Sequence, residues 1–206
     1  MNHSGTVRLE TKRLALRPFV QADAPAMYQN WANDPEVSKY LTWTPHKNVQ
    51  ETEAILADWI LQYGNPEYYC WAIALKEDEG TVIGNISVVK LEPDVDCVTI
   101  GYCLGRRWWG QGLMPEAFAG VIRFFFEVEK AGRIQATHDT RNPNSGKVME
   151  KCGLKREGVL RRSGRNCQGI CDQCIYGIVA EDYMVSGHET SSPAGSHGHG
   201  MIDREE

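Results

Sequence analysis

The chain has 206 residues, 42% hydrophobic and 24% charged, which is enough apolar material for a core and excludes a fibrous or wholly disordered protein. Lys and Arg number 22 against 27 Asp and Glu, a formal net charge of −5 with no long basic run, so nucleic-acid binding driven by bulk charge is excluded. No apolar stretch approaches the ~20 residues that a bilayer-spanning helix needs. Met1-Asn2-His3-Ser4-Gly5 has neither the basic start nor the apolar segment of a secretory signal, so a cytoplasmic location is expected. The seven cysteines, odd in number and irregular in spacing, then read as thiols.

In chain order, Arg13 to Phe19 reads as a strand, and helical stretches follow from Gln21 to Trp31 and from Gln50 to Tyr63, with a loop between them. The period then changes to two. Tyr69 to Leu75, Val82 to Leu91 and Val98 to Leu104 are strand-like, and the short links Lys76–Gly80 and Glu92–Asp96 make them an antiparallel meander. Next comes Gly105-Arg106-Arg107-Trp108-Trp109-Gly110-Gln111-Gly112. A helix follows with Met114, Ala117, Phe118, Val121, Ile122 and Phe125 on one face, and Gly132 is expected to end it. A strand at Arg133 to His138 follows. Asn142, Pro143 and Gly153 then punctuate a short helix as N-cap, first residue and C-terminal stop. Two last strands, Leu154 to Arg161 and Cys171 to Val179, are linked by Arg162 to Gly169. The strand-loop-helix-strand unit around Gly110 is a crossover, so its two strands should be parallel. The expected architecture is α/β (α+β): a mixed, mostly antiparallel sheet of about six to seven strands with helices on both faces. It should form one domain over residues 1–186, and the polar stretch 187–206 is expected to be a disordered tail.

The segment Trp109-Gly110-Gln111-Gly112-Leu113-Met114 carries the clearest chemistry. Glycines between a strand and a helix let successive N–H groups turn into one concavity, and the helix N-terminus adds unpaired donors, an arrangement suited to a phosphate or diphosphate. The spacing fits neither a mononucleotide P-loop nor a dinucleotide fingerprint, since Pro115 stands where the last Gly or Ala of the latter belongs.

Taken together, Trp109-Gly110-Gln111-Gly112-Leu113-Met114-Pro115-Glu116-Ala117, Asn142-Pro143-Asn144-Ser145 and Glu150-Lys151-Cys152-Gly153-Leu154 resemble the GCN5-related N-acetyltransferases. The closer likeness is to the branch of ribosomal-protein N-terminal (alanine/serine) acetyltransferases. The opening Arg8–Leu14 with Leu16–Phe19, and the closing Gly169, Asp172 and Tyr176, are similar to that branch as well. The resemblance implies acetyl-CoA as co-substrate, its diphosphate on the backbone of Gly110 to Met114 and its pantetheine beside Tyr102 to Leu104. It also implies Asn142 on the pantetheine arm, and it departs from the wider family at Trp109, at Met114 and at Met149, where many members have a Tyr that protonates the departing thiolate.

Transfer of acetyl from a thioester to an amine needs a neutral amine, a donor for the developing oxyanion and a proton for the thiolate. A backbone N–H near Cys103 or Leu104 suits the oxyanion. Ser145 suits the thiolate, with capping of its helix as the alternative; His138 at a strand end suits a base, with a structural role as the alternative. Asn142 either contacts the cofactor or caps its helix, and Lys147 either approaches cofactor phosphates or is a solvated surface residue. Trp31, Tyr40, Trp43, Trp108 and Trp109 are candidates for an acceptor-pocket wall or for core packing. Cys167, Cys171 and Cys174 approach metal-ligand spacing, but two strand residues three apart face opposite ways, and no metal is expected. The expected activity is direct acetyl transfer to a primary amine, either a peptide N-terminus or a small molecule, by a monomer or homodimer with no nucleic-acid or membrane partner. A non-catalytic CoA-binding or regulatory module and a zinc-stabilised interaction domain are the alternatives.

Overall fold

A computed structural model describes residues 1–185; the tail expected over 187–206 lies outside the described residues. Eight strands form one sheet in the order β1-β2-β3-β4-β5-β6-β8-β7. This is one or two strands more than expected, because Leu9–Glu10 (β1) adds a short edge to Leu14–Arg17 (β2). The helical stretch after β2 is real but irregular: a 3-10 turn at Gln21–Asp23, then α1 (Ala24–Met27), then a π turn at Tyr28–Ala32. The expected loop contains one short helix, α2 (Pro35–Ser38), capped by the Asp34 carboxylate, which accepts from Glu36 N–H at 2.9 Å. Asn48 caps α3 (Val49–Gln62) in the same way through Glu51 N–H.

The meander is β3 (Cys70–Leu75), β4 (Asp78–Glu92) and β5 (Cys97–Leu104), all antiparallel. Strand alternation sends Trp71 and Ile73 to the core beneath α4 (Leu113–Phe124), while Cys70 and Ala72 face a second core with Phe19, Trp31 and Leu56 from the first helical layer. Helices therefore cover both faces. The long helix does not end at Gly132. After α4 a π turn, Phe125–Glu129, runs to Lys130, which takes the left-handed conformation (φ +59°) that stops it.

The crossover through α4 returns as β6 (Arg133–Asp139), parallel to β5 as expected. Helix α5 (Pro143–Lys151) follows, and Gly153 at φ +84° lets the chain turn into β7 (Lys155–Asn166). β8 (Gly169–Val179) then inserts between β6 and β7, and α6 (Ala180–Val185) closes the described chain. The long link expected from Arg162 to Gly169 is instead part of a hairpin: β7 runs on to Asn166 and only Cys167 and Gln168 turn. A jump in register between Leu160 and Gly164 absorbs the extra residues that break the sequence periodicity.

β4 and β5 approach so closely at Gly84, opposite Leu104, that a Cβ there would collide with the Cys103 carbonyl. Gly84→Ala should therefore cost about 1–3 kcal/mol through a forced backbone shift, read as a lower urea midpoint.

Candidate active site

β5 and β6 pair for only three residues, Cys97 to Thr99 against Arg133 to Gln135, although β5 continues to Leu104 and β6 to Asp139. Beyond that point they splay. Gly105 N–H donates to Ile83 C=O at 2.8 Å, and in an antiparallel ladder such groups alternate. Cys103 thus addresses β4, whereas Tyr102 and Leu104 turn their N–H and C=O groups into the gap. The Leu104 carbonyl confirms the direction by accepting from Trp109 Nε1 at 2.7 Å. Of the two amides expected to face the gap, Leu104 does so and Cys103 does not.

At the mouth of this gap lies the glycine bend. Gly110 and Gly112 have φ of +75° and +73°, a backbone region open to glycine at little cost, and a Cβ on Gly110 would meet only open space. Gly112 caps α4; Pro115 has no N–H and Glu116 N–H returns to Gly112 C=O, so Leu113 and Met114 supply the unpaired donors of the first turn. Their side chains point into the core, Met114 being 5% exposed, so their contribution is main-chain. Gln111 turns its side chain to Arg107 C=O, and its own carbonyl accepts from Arg13. Glu116 would repel an anion here, but its carboxylate is taken by Thr11 Oγ1, Arg13 N–H and Arg13 Nε, each at 2.6 Å. Burial pushes that carboxyl up, and these hydrogen bonds outweigh it and hold it below its usual range.

The bend and the gap share one cavity of about 640 Å³, also lined by Tyr40, His138, Asn142, Ser145 and Lys147. Asn142 begins α5 without a side-chain cap bond, and Lys147 stands exposed on the same helix. Tyr102 donates its hydroxyl to Ser145 C=O at 3.0 Å, with Ser145 Oγ also 3.0 Å away. Desolvation raises the Tyr102 pKa, so it stays protonated. Met149 is 1% exposed, packed in the core. His138 Nδ1 donates to Asp139 C=O at 2.8 Å, which leaves Nε2 as a bare acceptor, buried without a partner. That nitrogen lies 2.8 Å from where a Gly146 Cβ would stand, against α5. Trp31 is fully buried in the second core, whereas Trp108 and Trp109 line the cavity. Among the described residues no three His, Cys, Asp or Glu side chains are grouped to hold a metal ion. No helix among them is long and apolar enough to cross a membrane.

A family model described as an acetyltransferase (GNAT) domain matches residues 13–155. The chain belongs to the GNAT acetyltransferase family. An uncharacterized N-acetyltransferase, p20, of Bacillus licheniformis is 30% identical over 178 residues, covering 85% of this chain and 97% of its own length. The ribosomal protein uS5-alanine N-acetyltransferase of Escherichia coli (strain K12) is 27% identical, with 75% of this chain and 81% of that one covered. The solved structure of the Microcin C7 self-immunity acetyltransferase MccE, in complex with acetyl-CoA and AMP, has a TM-score of 0.73 at 20% identity over 82% of this chain and 93% of its own. It is a likeness of fold.

In this GNAT domain several site contacts escaped sequence reasoning because they join distant segments: Arg13 with Glu116, Tyr102 with Ser145, and the hairpin tip with Asp139. Asp139, 4% exposed, accepts from Arg141 N–H, from the Arg141 guanidinium and from Asn166 Nδ2 at 2.7 Å. The Arg141 bond is the main reason its carboxyl lies far below the usual range. A carboxyl depressed on folding stabilises above its unfolded pKa, and that stability is lost as pH falls toward the folded value. Asp139→Asn should accordingly lower stability by about 1–3 kcal/mol at neutral pH. The gap from wild type should be constant from pH 5 to 8 and close below roughly pH 4, as urea titrations across pH would show.

Proposed function

We propose that the protein moves the acetyl group of acetyl-CoA to a primary amine, a peptide N-terminal α-amine or that of a small molecule, by direct attack in a ternary complex. One observation carries this reading: the sheet opens between β5 and β6 directly beside the left-handed Gly110–Gly112 bend. The bend offers main-chain donors for a diphosphate, with Lys147 nearby as a compensating cation. The outward amides of Tyr102 and Leu104 offer an added-strand edge to the amide-bearing arm, and Asn142, released from capping, can join them. Membership of the family and the acetyl-CoA held by MccE support the same donor.

Acetyl-CoA supplies an activated thioester; the rest falls to the chain. As the amine nitrogen bonds to the carbonyl carbon, charge moves onto oxygen, and an outward β5 amide is placed to receive it. When the C–S bond breaks, the sulfur takes the electron pair and then a proton from Ser145; the nitrogen releases its proton to water and Ser145 regains one from water, so the overall proton count balances. Tyr102, kept protonated by burial, holds Ser145 at the gap through its hydroxyl, and Met149 has no proton to give. An α-amine with pKa ~8 is partly neutral near pH 7 and needs no strong base. His138, with Nε2 against Gly146, supports the wall of the gap.

Calorimetric titration of acetyl-CoA should give saturable binding that Gly112→Asp abolishes, since an L side chain and a negative charge both oppose the bend; equal binding by that variant overturns the site. Ser145→Ala should bind acetyl-CoA normally and lose about 10²-fold in kcat, followed as amine-dependent CoA release. Intact binding without release for any amine would reduce the protein to a CoA-binding module.

A further inference from the structure

β7 is the outer edge of the sheet, and its ladder with β8 is interrupted in a constructed way. Leu160 pairs with Gln173 and Gly164 with Cys171, so Arg161, Arg162 and Ser163 together oppose the single residue Asp172. Arg162 sits at φ +53°, unfavourable for any residue but glycine. Its N–H donates to Asp172 Oδ1 at 2.8 Å, and Ser163 Oγ lies 3.0 Å from Leu160 C=O and 3.1 Å from Gln173 Oε1. At Gly164 a Cβ would stand 2.5 Å from the Gln173 side chain. Strained backbone is thus held in place by dedicated contacts, yet Arg161, Arg162 and Arg165 are exposed and bury nothing. Bulges of this kind re-aim side chains and gather near active sites.

The position of the bulge is set by register. Asp172 C=O accepts from Thr140 N–H at 3.1 Å, so the bulge is level with Asp139 and Arg141 at the wall of the cavity. The hairpin tip is tied to the same rim: Asn166 to Asp139, Cys167 N–H to Leu41 C=O at 3.0 Å, and Cys167 Sγ to Trp43 C=O at 3.0 Å. Arg8, Arg13, Arg17, Arg133 and Arg141 all pair with carboxylates, whereas the guanidinium groups of Arg161, Arg162 and Arg165 have no partner among the described residues. Three unpaired cations on one hairpin of a chain with net charge −5 ask for an anionic partner.

We infer that the amine acceptor is a polypeptide N-terminus with Asp or Glu at about its third to fifth residue, bound by Arg161, Arg162 and Arg165. This rests on the transferase reading above. Strands lie ~4.8 Å apart, so β7 is roughly 10–15 Å from the gap across β6 and β8, which an extended chain covers in three to five residues. Carboxylates suit the patch better than RNA, because β7 has no aromatic side chain on which bases could stack.

The test is a series of N-terminal peptides sharing their first two residues and carrying Asp/Glu, Ser/Gln or Lys at positions three to five, with CoA release measured at low and high salt. Expected is a kcat/KM about ten-fold or more higher for acidic than for neutral peptides, lowest for basic ones, compressed by salt, and inverted in an Arg161→Glu/Arg162→Glu double variant. Equal kcat/KM across the series overturns the inference while release from the neutral peptide preserves the transferase. Release with small amines but no peptide does the same. A short single-stranded RNA that binds wild type and not the double variant, with no peptide charge preference, assigns the patch to nucleic acid and also overturns it. Acetyl-CoA binding with no release for any amine removes the transferase reading instead, and this one with it.

Discussion

The site depends on two strands that begin as parallel neighbours and cannot remain so. β6 keeps full register with β8 from Arg133 to Asp139, and β5 keeps its ladder with β4 to Leu104. Each belongs to a stiff half of the sheet, and the halves part after Thr99 and Gln135. Parting strands expose main-chain groups, which a folded protein tolerates only where they meet another partner or solvent. Here Trp109 takes the Leu104 carbonyl, Tyr102 reaches across to Ser145 on α5, and the remaining groups line a cavity. The gap is thus braced rather than collapsed.

Charge at the two ends of the cavity follows the same logic. Glu116 beside the glycine bend and Asp139 at the wall of the cavity are both carboxylates close to outward main-chain groups. Each is saturated by hydrogen bonds from its own neighbourhood, Glu116 by Thr11 and Arg13, Asp139 by Arg141 and Asn166. Their fields are spent locally, so the main-chain donors of the α4 N-terminus and the lysines of α5 dominate at the bend.

Much of this was legible in the sequence because it is local. The period-two runs with short polar links give the meander, glycine and proline mark the ends of α5, and paired glycines before an apolar helix give the bend. What could not be read is where pairing stops. Nothing in Val98 to Leu104 distinguishes a residue paired on both sides from one facing a gap, since the difference lies in how β6 follows β8. The left-handed Lys130 was missed because glycine two residues later offers the cheaper stop, whereas the chain closes the helix earlier with a local bond from Ala131 N–H to Phe125 C=O around Lys130. The β7 bulge breaks the alternation after Leu160, so the first half of the strand was legible and its continuation to Asn166 read as a link.

The cysteines bear on how acetyl would travel. Cys103 lines the cavity and would be the obvious thiol for a covalent acetyl-enzyme, yet its Sγ donates to Asn85 Oδ1 at 2.8 Å and burial pushes its pKa up to about 12. Cys152, beside α5, is likewise pushed up to about 12 by burial. The thiolate is the nucleophile, and burial holds both thiols in their unreactive protonated form. The burial that makes Cys103 a good core residue therefore also makes its thiol a poor nucleophile.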